Sequence, residues 1–203
     1  MKHILVFILL LNLSLSAIDT TEQDYSLRVG YGIASENDLG EILAGDFGSH
    51  PRDLTTYSLD AGYLLQKELL ALPLDLYIKS GISYFDEDEF SNTLEITLYV
   101  KLYWNIDFFD RRMRVGFGEG LSYTKDVLET EYFEAIADGE SYAKFLNYLD
   151  ISLDFDLGKL ISYKPLYDTY LGYALKHRSG VFGTFSGVHG GSNYNTFYLE
   201  KNF

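Results

Sequence analysis

The sequence predicts an all-β protein, an eight-stranded antiparallel transmembrane β-barrel. Three observations carry that expectation. From Tyr25 to the C-terminus, apolar residues recur with a period of two, the signature of strands with one apolar face. Aromatic residues make up 16% of the chain, with 18 Tyr and 14 Phe, a content that suits girdles at two membrane interfaces. After the first residues no apolar run is long enough for a membrane helix, so a membrane-embedded chain of this kind must close its sheet on itself.

The 203 residues suit a single domain, and the three prolines mark no linker. Met1 to Ala17 reads as a secretory signal peptide. Lys2 and His3 form the positive end, Ile4 to Leu11 the apolar run, and Ser14, Ser16 and Ala17 the small-residue cleavage region. Cleavage is expected after Ser16 or Ala17, leaving 18–203 as the barrel domain. The chain has no cysteine, so disulfides do not hold it. A formal net charge of -14 argues against nucleic acid as a partner.

In the first strand Tyr25, Leu27, Val29, Tyr31 and Ile33 alternate with small or polar residues. Residues 36–53, with Gly40, Gly45, Gly48 and Pro51, read as a long loop. The second strand, about 54–66, puts Tyr57, Leu59, Ala61, Tyr63 and Leu65 on one face, and a short turn around Leu70 to Pro73 follows it. The third strand sets Leu74, Leu76, Ile78 and Ile82 against Asp75, Tyr77 and Lys79, and ends at the acidic loop Asp86–Glu89. That loop reads either as a divalent-cation site or as a solvated charged loop, the second being the commoner case.

The fourth strand alternates most cleanly, Leu94, Ile96, Leu98, Val100, Leu102, Trp104 and Ile106 against Glu95, Thr97, Tyr99, Lys101, Tyr103 and Asn105. A tight turn spans 107–111. In the fifth strand Met113, Val115, Phe117, Leu121 and Tyr123 face outward, and Arg112, Arg114 and three glycines face inward. Glu119 interrupts the apolar face. Residues 125–144 form the longest loop, with helical character around 131–137. The sixth strand sets Leu149, Ile151, Leu153, Phe155 and Leu157 against Asp150, Ser152, Asp154 and Asp156, and 158–165 is a turn. The seventh strand is about 167–179 and the eighth about 193–203.

Connections alternate long and short, the long ones following strands one, three, five and seven, as bacterial outer-membrane barrels require. The terminal Phe203, with Phe197 and Leu199 on its face, is similar to the sorting signal of such proteins. An eight-stranded interior is filled by side chains, which argues against a channel.

Parity then singles out a constellation. His177 and Ser179 continue the outward row Leu171, Tyr173, Leu175, at the extracellular end of strand seven. Counting back from Phe203 puts Asn193 on the same outer face of strand eight. Polar groups there are costly without partners or a task. Nucleophilic acyl transfer needs such a set: Ser179 as nucleophile, His177 as its base, and Asn193 accepting the Nδ1 proton to hold the imidazole. Backbone N–H groups from Gly180 to Gly183 are candidates for an oxyanion site.

The His177-x-Ser179 pair, the Gly-rich loop, and a polar residue opening the last strand resemble the lipid A 3-O-deacylase family (PagL-like), of the lipid A and acyloxyacyl hydrolases of the outer membrane. The resemblance implies an eight-stranded outer-membrane barrel that hydrolyses an ester-linked 3-hydroxyacyl chain of lipid A, the lipid anchor of lipopolysaccharide in the outer leaflet. It implies Ser179 as nucleophile and His177 as base. The family's Glu falls at Asn193, and its oxyanion Asn, after the serine, falls at Gly180. Both are departures from the pattern.

The competing expectation is a non-catalytic barrel, structural or adhesin-like, in which His177, Ser179 and Asn193 hydrogen-bond lipid headgroups. Arg178 points inward by parity and is expected to pair with an interior carboxylate. His50 and His189 lie in loops without metal-ligand spacing and read as solvated. No cofactor or metal is expected.

Overall fold

The structure is a computed structural model that describes residues 24–203. The signal peptide expected at Met1 to Ala17 lies outside them. Eight strands follow in order: β1 (Tyr25–Ser35), β2 (Thr55–Gln66), β3 (Leu74–Asp86), β4 (Thr93–Phe108), β5 (Arg111–Thr124), β6 (Phe145–Asp156), β7 (Thr169–Ser179) and β8 (Gly191–Asn202). Each pairs antiparallel with the next, and β8 returns to β1 from Ser26↔Asn202 to Ser35↔Asn193, so the barrel is closed. Closure removes the sheet edges and satisfies every strand's ladder, the condition for crossing hydrocarbon with strands. The ladder shifts register once, between Leu64 and Gln66.

The phase read from the sequence is the phase of the fold. Large apolar residues of the outward faces, such as Leu59, Ile82, Ile96, Leu98, Phe117 and Phe197, are exposed around the outer wall. A belt of this extent is stable only against lipid. The fold is that of an outer-membrane β-barrel.

The inward faces carry the charge. The Arg28 guanidinium, fully buried, pairs with Asp150 at 2.9 Å and Glu200 at 2.8 Å, and donates to the Tyr103 hydroxyl at 2.7 Å. Glu200 also receives Lys79 at 2.6 Å, Arg114 at 3.3 Å and the Tyr103 hydroxyl. Arg114 forks onto both carboxylate oxygens of Asp154 at 2.8 Å, and Lys101 pairs with Asp150. These groups occupy the lumen and neutralise one another, the arrangement a buried charge requires. Gly116 and Gly118 make room for it: a side chain at either position would collide with the stem of Lys101.

The loop end is tied together by one carboxylate. The β5–β6 loop contains α2 (Glu129–Asp138), a little longer than the helical stretch expected from the sequence; the β1–β2 loop contains the short α1 (Leu39–Leu43). Glu129, buried at the start of α2, accepts from the backbone N–H groups of Asp88, Glu89 and Phe90 at 3.1, 2.8 and 3.2 Å, and pairs with Arg52 of the first loop. The acidic stretch 86–89 is thus held by its backbone as part of a loop junction.

Glu87 returns a bond, accepting from the Glu129 N–H at 3.0 Å, and burial pushes its carboxyl up to about 7. Because its folded value lies above the ordinary 4.5, its contribution to the junction is complete below that value. It is lost as pH rises through about 7. Limited proteolysis of loops 87–92 and 125–144 is therefore expected to be faster at pH 8.5 than at pH 5.5, and Glu129→Ala is expected to make it fast at both.

The turn end departs from expectation in one place. The β6–β7 connection, 157–168, is longer than the 87–92 loop at the opposite end. It folds as α3 (Leu157–Ile161), capped by Asp156 accepting from the Lys159 N–H at 2.9 Å, and then a 3₁₀ turn at Lys164–Leu166. Arg111 donates to the Lys159 carbonyl at 2.7 Å, anchoring it under β5. The β4–β5 turn is as tight as expected, Phe109 and Asp110 both left-handed at φ 45° and 60°, the pairing of a type I′ hairpin.

Candidate active site on the outer wall

β7 and β8 lie side by side, and His177 stands directly opposite Asn193. Both point outward. His177 Nδ1 lies 2.8 Å from Asn193 Oδ1. The Asn193 Nδ2 group donates to the Asn37 carbonyl, just after β1, at 3.0 Å. That second bond fixes which way the amide faces, so Oδ1 must accept and Nδ1 must carry the proton. His177 Nε2 is left with a free lone pair, the form a general base requires.

Ser179, two residues on, faces the same side and sits between Gly191 of β8 and Asn147 of β6. Its hydroxyl has no hydrogen-bond partner among the described residues, His177 included. His177, Ser179, Asn193, Asn147, Leu149 and Phe182 line one cleft of about 600 Å³ at the loop end of the outer wall. The β1–β2 loop forms its far side, reaching down the wall until Phe47 meets Tyr173 edge-on at 5.7 Å. His50 and His189 border the same cleft. His50 accepts from the Arg52 N–H at 3.2 Å.

The oxyanion expectation for Gly180 and Gly183 is corrected. Their N–H groups donate to the Gly190 carbonyl at 3.2 Å and the Val188 carbonyl at 2.8 Å. The loop after β7 closes on itself with these bonds, so neither amide is offered to a ligand. Arg178 does point inward, as parity requires, and pairs with Glu131 at 2.9 Å and Glu95 at 3.5 Å.

Sequence reasoning missed several polar partners on this wall. Tyr173 donates to Asn195 Oδ1 at 2.5 Å. Asn147 donates through Nδ2 to Glu119 and to the Gly120 carbonyl, the latter at 3.2 Å. The signal was present: Glu119, Asn147 and Asn195 all fall on outward phases where lipid-facing residues belong.

Comparisons of the sequence with protein-family models and with curated proteins give no match. The fold is similar to that of PagL, described as an outer membrane enzyme, with a TM-score of 0.59 over 88% of this chain and 99% of that one, at 9% identity. Neisserial surface protein A (NspA) overlaps 90% of this chain and 98% of its own, with a TM-score of 0.49 and 9% identity. Ail of Yersinia pestis, in a phospholipid bilayer nanodisc, overlaps 90% of this chain and all of its own, also at 0.49 and 9%. At these identities the likeness is one of fold.

Proposed function

We propose that the chain is an outer-membrane esterase that removes an ester-linked 3-hydroxyacyl chain from lipid A in the outer leaflet. One observation carries this reading: the His177–Asn193 bond leaves Nε2 with a free lone pair, in the same outward cleft as Ser179. An outward-facing imidazole beside hydrocarbon, with its tautomer set by a second side chain, suits proton transfer.

The reaction assigns each group a task. His177 Nε2 takes the Ser179 proton as Oγ bonds to the ester carbonyl carbon. The carbonyl π pair moves to its oxygen. As the tetrahedral intermediate collapses, Nε2 returns the proton to the departing sugar oxygen. Water then repeats the sequence on the acyl-serine, releasing the fatty acid. Asn193 keeps the imidazole oriented throughout. Leu149 and Phe182 line the cleft where an acyl chain would leave it toward the membrane.

A second reading rests on a specific observation: the Ser179 hydroxyl is not bonded to His177. A non-catalytic barrel whose loops and polar rim contact headgroups accommodates that. Resting enzymes often tighten this bond only with substrate present, so the choice falls to chemistry. Purified protein in detergent micelles with isolated lipid A is expected to release a free 3-hydroxy fatty acid, measured by gas chromatography, and Ser179→Ala is expected to release none. Intact lipid A with folded wild-type protein would favour the second reading.

A further inference from the structure

Glu119 interrupts the outward apolar face of β5, and the reaction above leaves it without a task. Apart from Asp86 at the last position of β3, it is the only carboxylate among the outward residues of the described strands. An ionised group costs free energy beside hydrocarbon unless it is paired or used.

Its surroundings point toward the serine. Glu119 Oε1 accepts from Asn147 Nδ2, and the other Nδ2 hydrogen goes to the Gly120 carbonyl. Both acceptors belong to β5, so Asn147 Oδ1 is left to the β7 side, where Ser179 stands directly opposite. One pair lower, Glu119 is level with Leu149, Leu149 with His177, and His177 with Asn193. Two strand spacings separate Glu119 from His177, about 10 Å between backbones. Leu149 lies between them on a lipid-facing wall, where charges are screened less than in water.

We infer that Glu119 and Asn147 are positioning residues for this pair: Asn147, with its amide N–H groups held on β5, turns Oδ1 toward the Ser179 hydroxyl, which is unbonded in this structure, to orient it as substrate binds, and Glu119 supplies the negative charge that Asn193 lacks. The inference rests on the esterase reading. When Oγ attacks, the Ser179 proton moves to Nε2 and His177 becomes an imidazolium facing Glu119 across Leu149. When the intermediate collapses, that proton leaves with the sugar oxygen and the positive charge disappears. Glu119 thus favours the charged species formed between two neutral ones, which is differential stabilisation of the kind that raises kcat.

Three variants separate charge from tethering. Glu119→Gln keeps an oxygen for Asn147 and removes the charge, Glu119→Asp keeps the charge, and Asn147→Ala removes the amide. Glu119→Gln is expected to lower kcat on lipid A about tenfold with KM unchanged, the size of effect one charge gives at this range in a partly desolvated site. Glu119→Asp recovers most of it. Asn147→Ala is expected to slow labelling of Ser179 by a long-chain fluorophosphonate, read as intact-protein mass, independently of any lipid. Wild-type kcat in Glu119→Gln, or wild-type labelling in Asn147→Ala, overturns the inference and leaves the esterase standing. Wild-type protein that neither labels at Ser179 nor releases fatty acid overturns the esterase and this inference together.

Discussion

Replacing His177 with alanine is expected to reduce lipid A deacylation by a factor on the order of 10⁴ to 10⁶ while the barrel stays folded. The size follows from the task that the proposed esterase reaction gives it. Without a base, the Ser179 hydroxyl is a poor nucleophile, and the leaving sugar oxygen has no acid to protonate it. The fold is expected to survive because His177 bonds only at the outer wall, while the groups that hold the barrel lie inside it. Asn193→Ala is expected to cost less, on the order of 10²-fold, since the base remains and loses only its fixed orientation. Rates of fatty-acid release and the heat-modifiable mobility of the folded barrel on gels check both parts. A His177→Ala protein that still deacylates would exclude His177 as the base.

The second large effect falls on stability. Glu200 gathers Lys79, Arg28, Arg114 and the Tyr103 hydroxyl around one carboxylate in the middle of the lumen. Glu200→Gln leaves three buried cations with one counter-charge fewer. Removing one partner from a buried charge set typically costs about 3–5 kcal/mol, because the remaining charges cannot return to water. Asp107→Asn breaks an ion pair with Arg112 of similar geometry, 2.7 Å, but at the exposed turn end. It is expected to cost about 1 kcal/mol or less. Urea titrations of the two variants in the same lipid should separate them by several-fold in free energy. Equal midpoints would mean that the lumen network is not what holds the wall together.

Parity made most of the fold legible. Outward and inward sets alternated clearly enough in β4 and β6 to fix the phase of every strand, and that phase carried His177, Ser179 and Asn193 to one surface. The helix in the longest loop was legible too, over 131–137 of Glu129–Asp138, but not its first turn, where Glu129 sits. What parity cannot supply is contact across distance in sequence. The alternation of the sixth strand is clear only from Leu149, which gives Asn147 no face although β6 begins at Phe145, so its pairing with Glu119 is not legible and Glu119 has no explanation. The Glu129 junction joins three loops, one of them through the backbone N–H groups of 88–90, which no side-chain pattern records, and another through the Arg52 guanidinium. The glycines after Ser179 suggested free amides. The loop in fact spends those amides on its own carbonyls, at Gly190 and Val188.

The most direct test is to weigh lipid A extracted from Gram-negative cells producing the protein at their surface. A loss equal to one 3-hydroxyacyl chain is expected with the wild-type sequence, and the full mass with Ser179→Ala. Full mass in both, with the barrel folded and surface-located, would contradict the esterase reading.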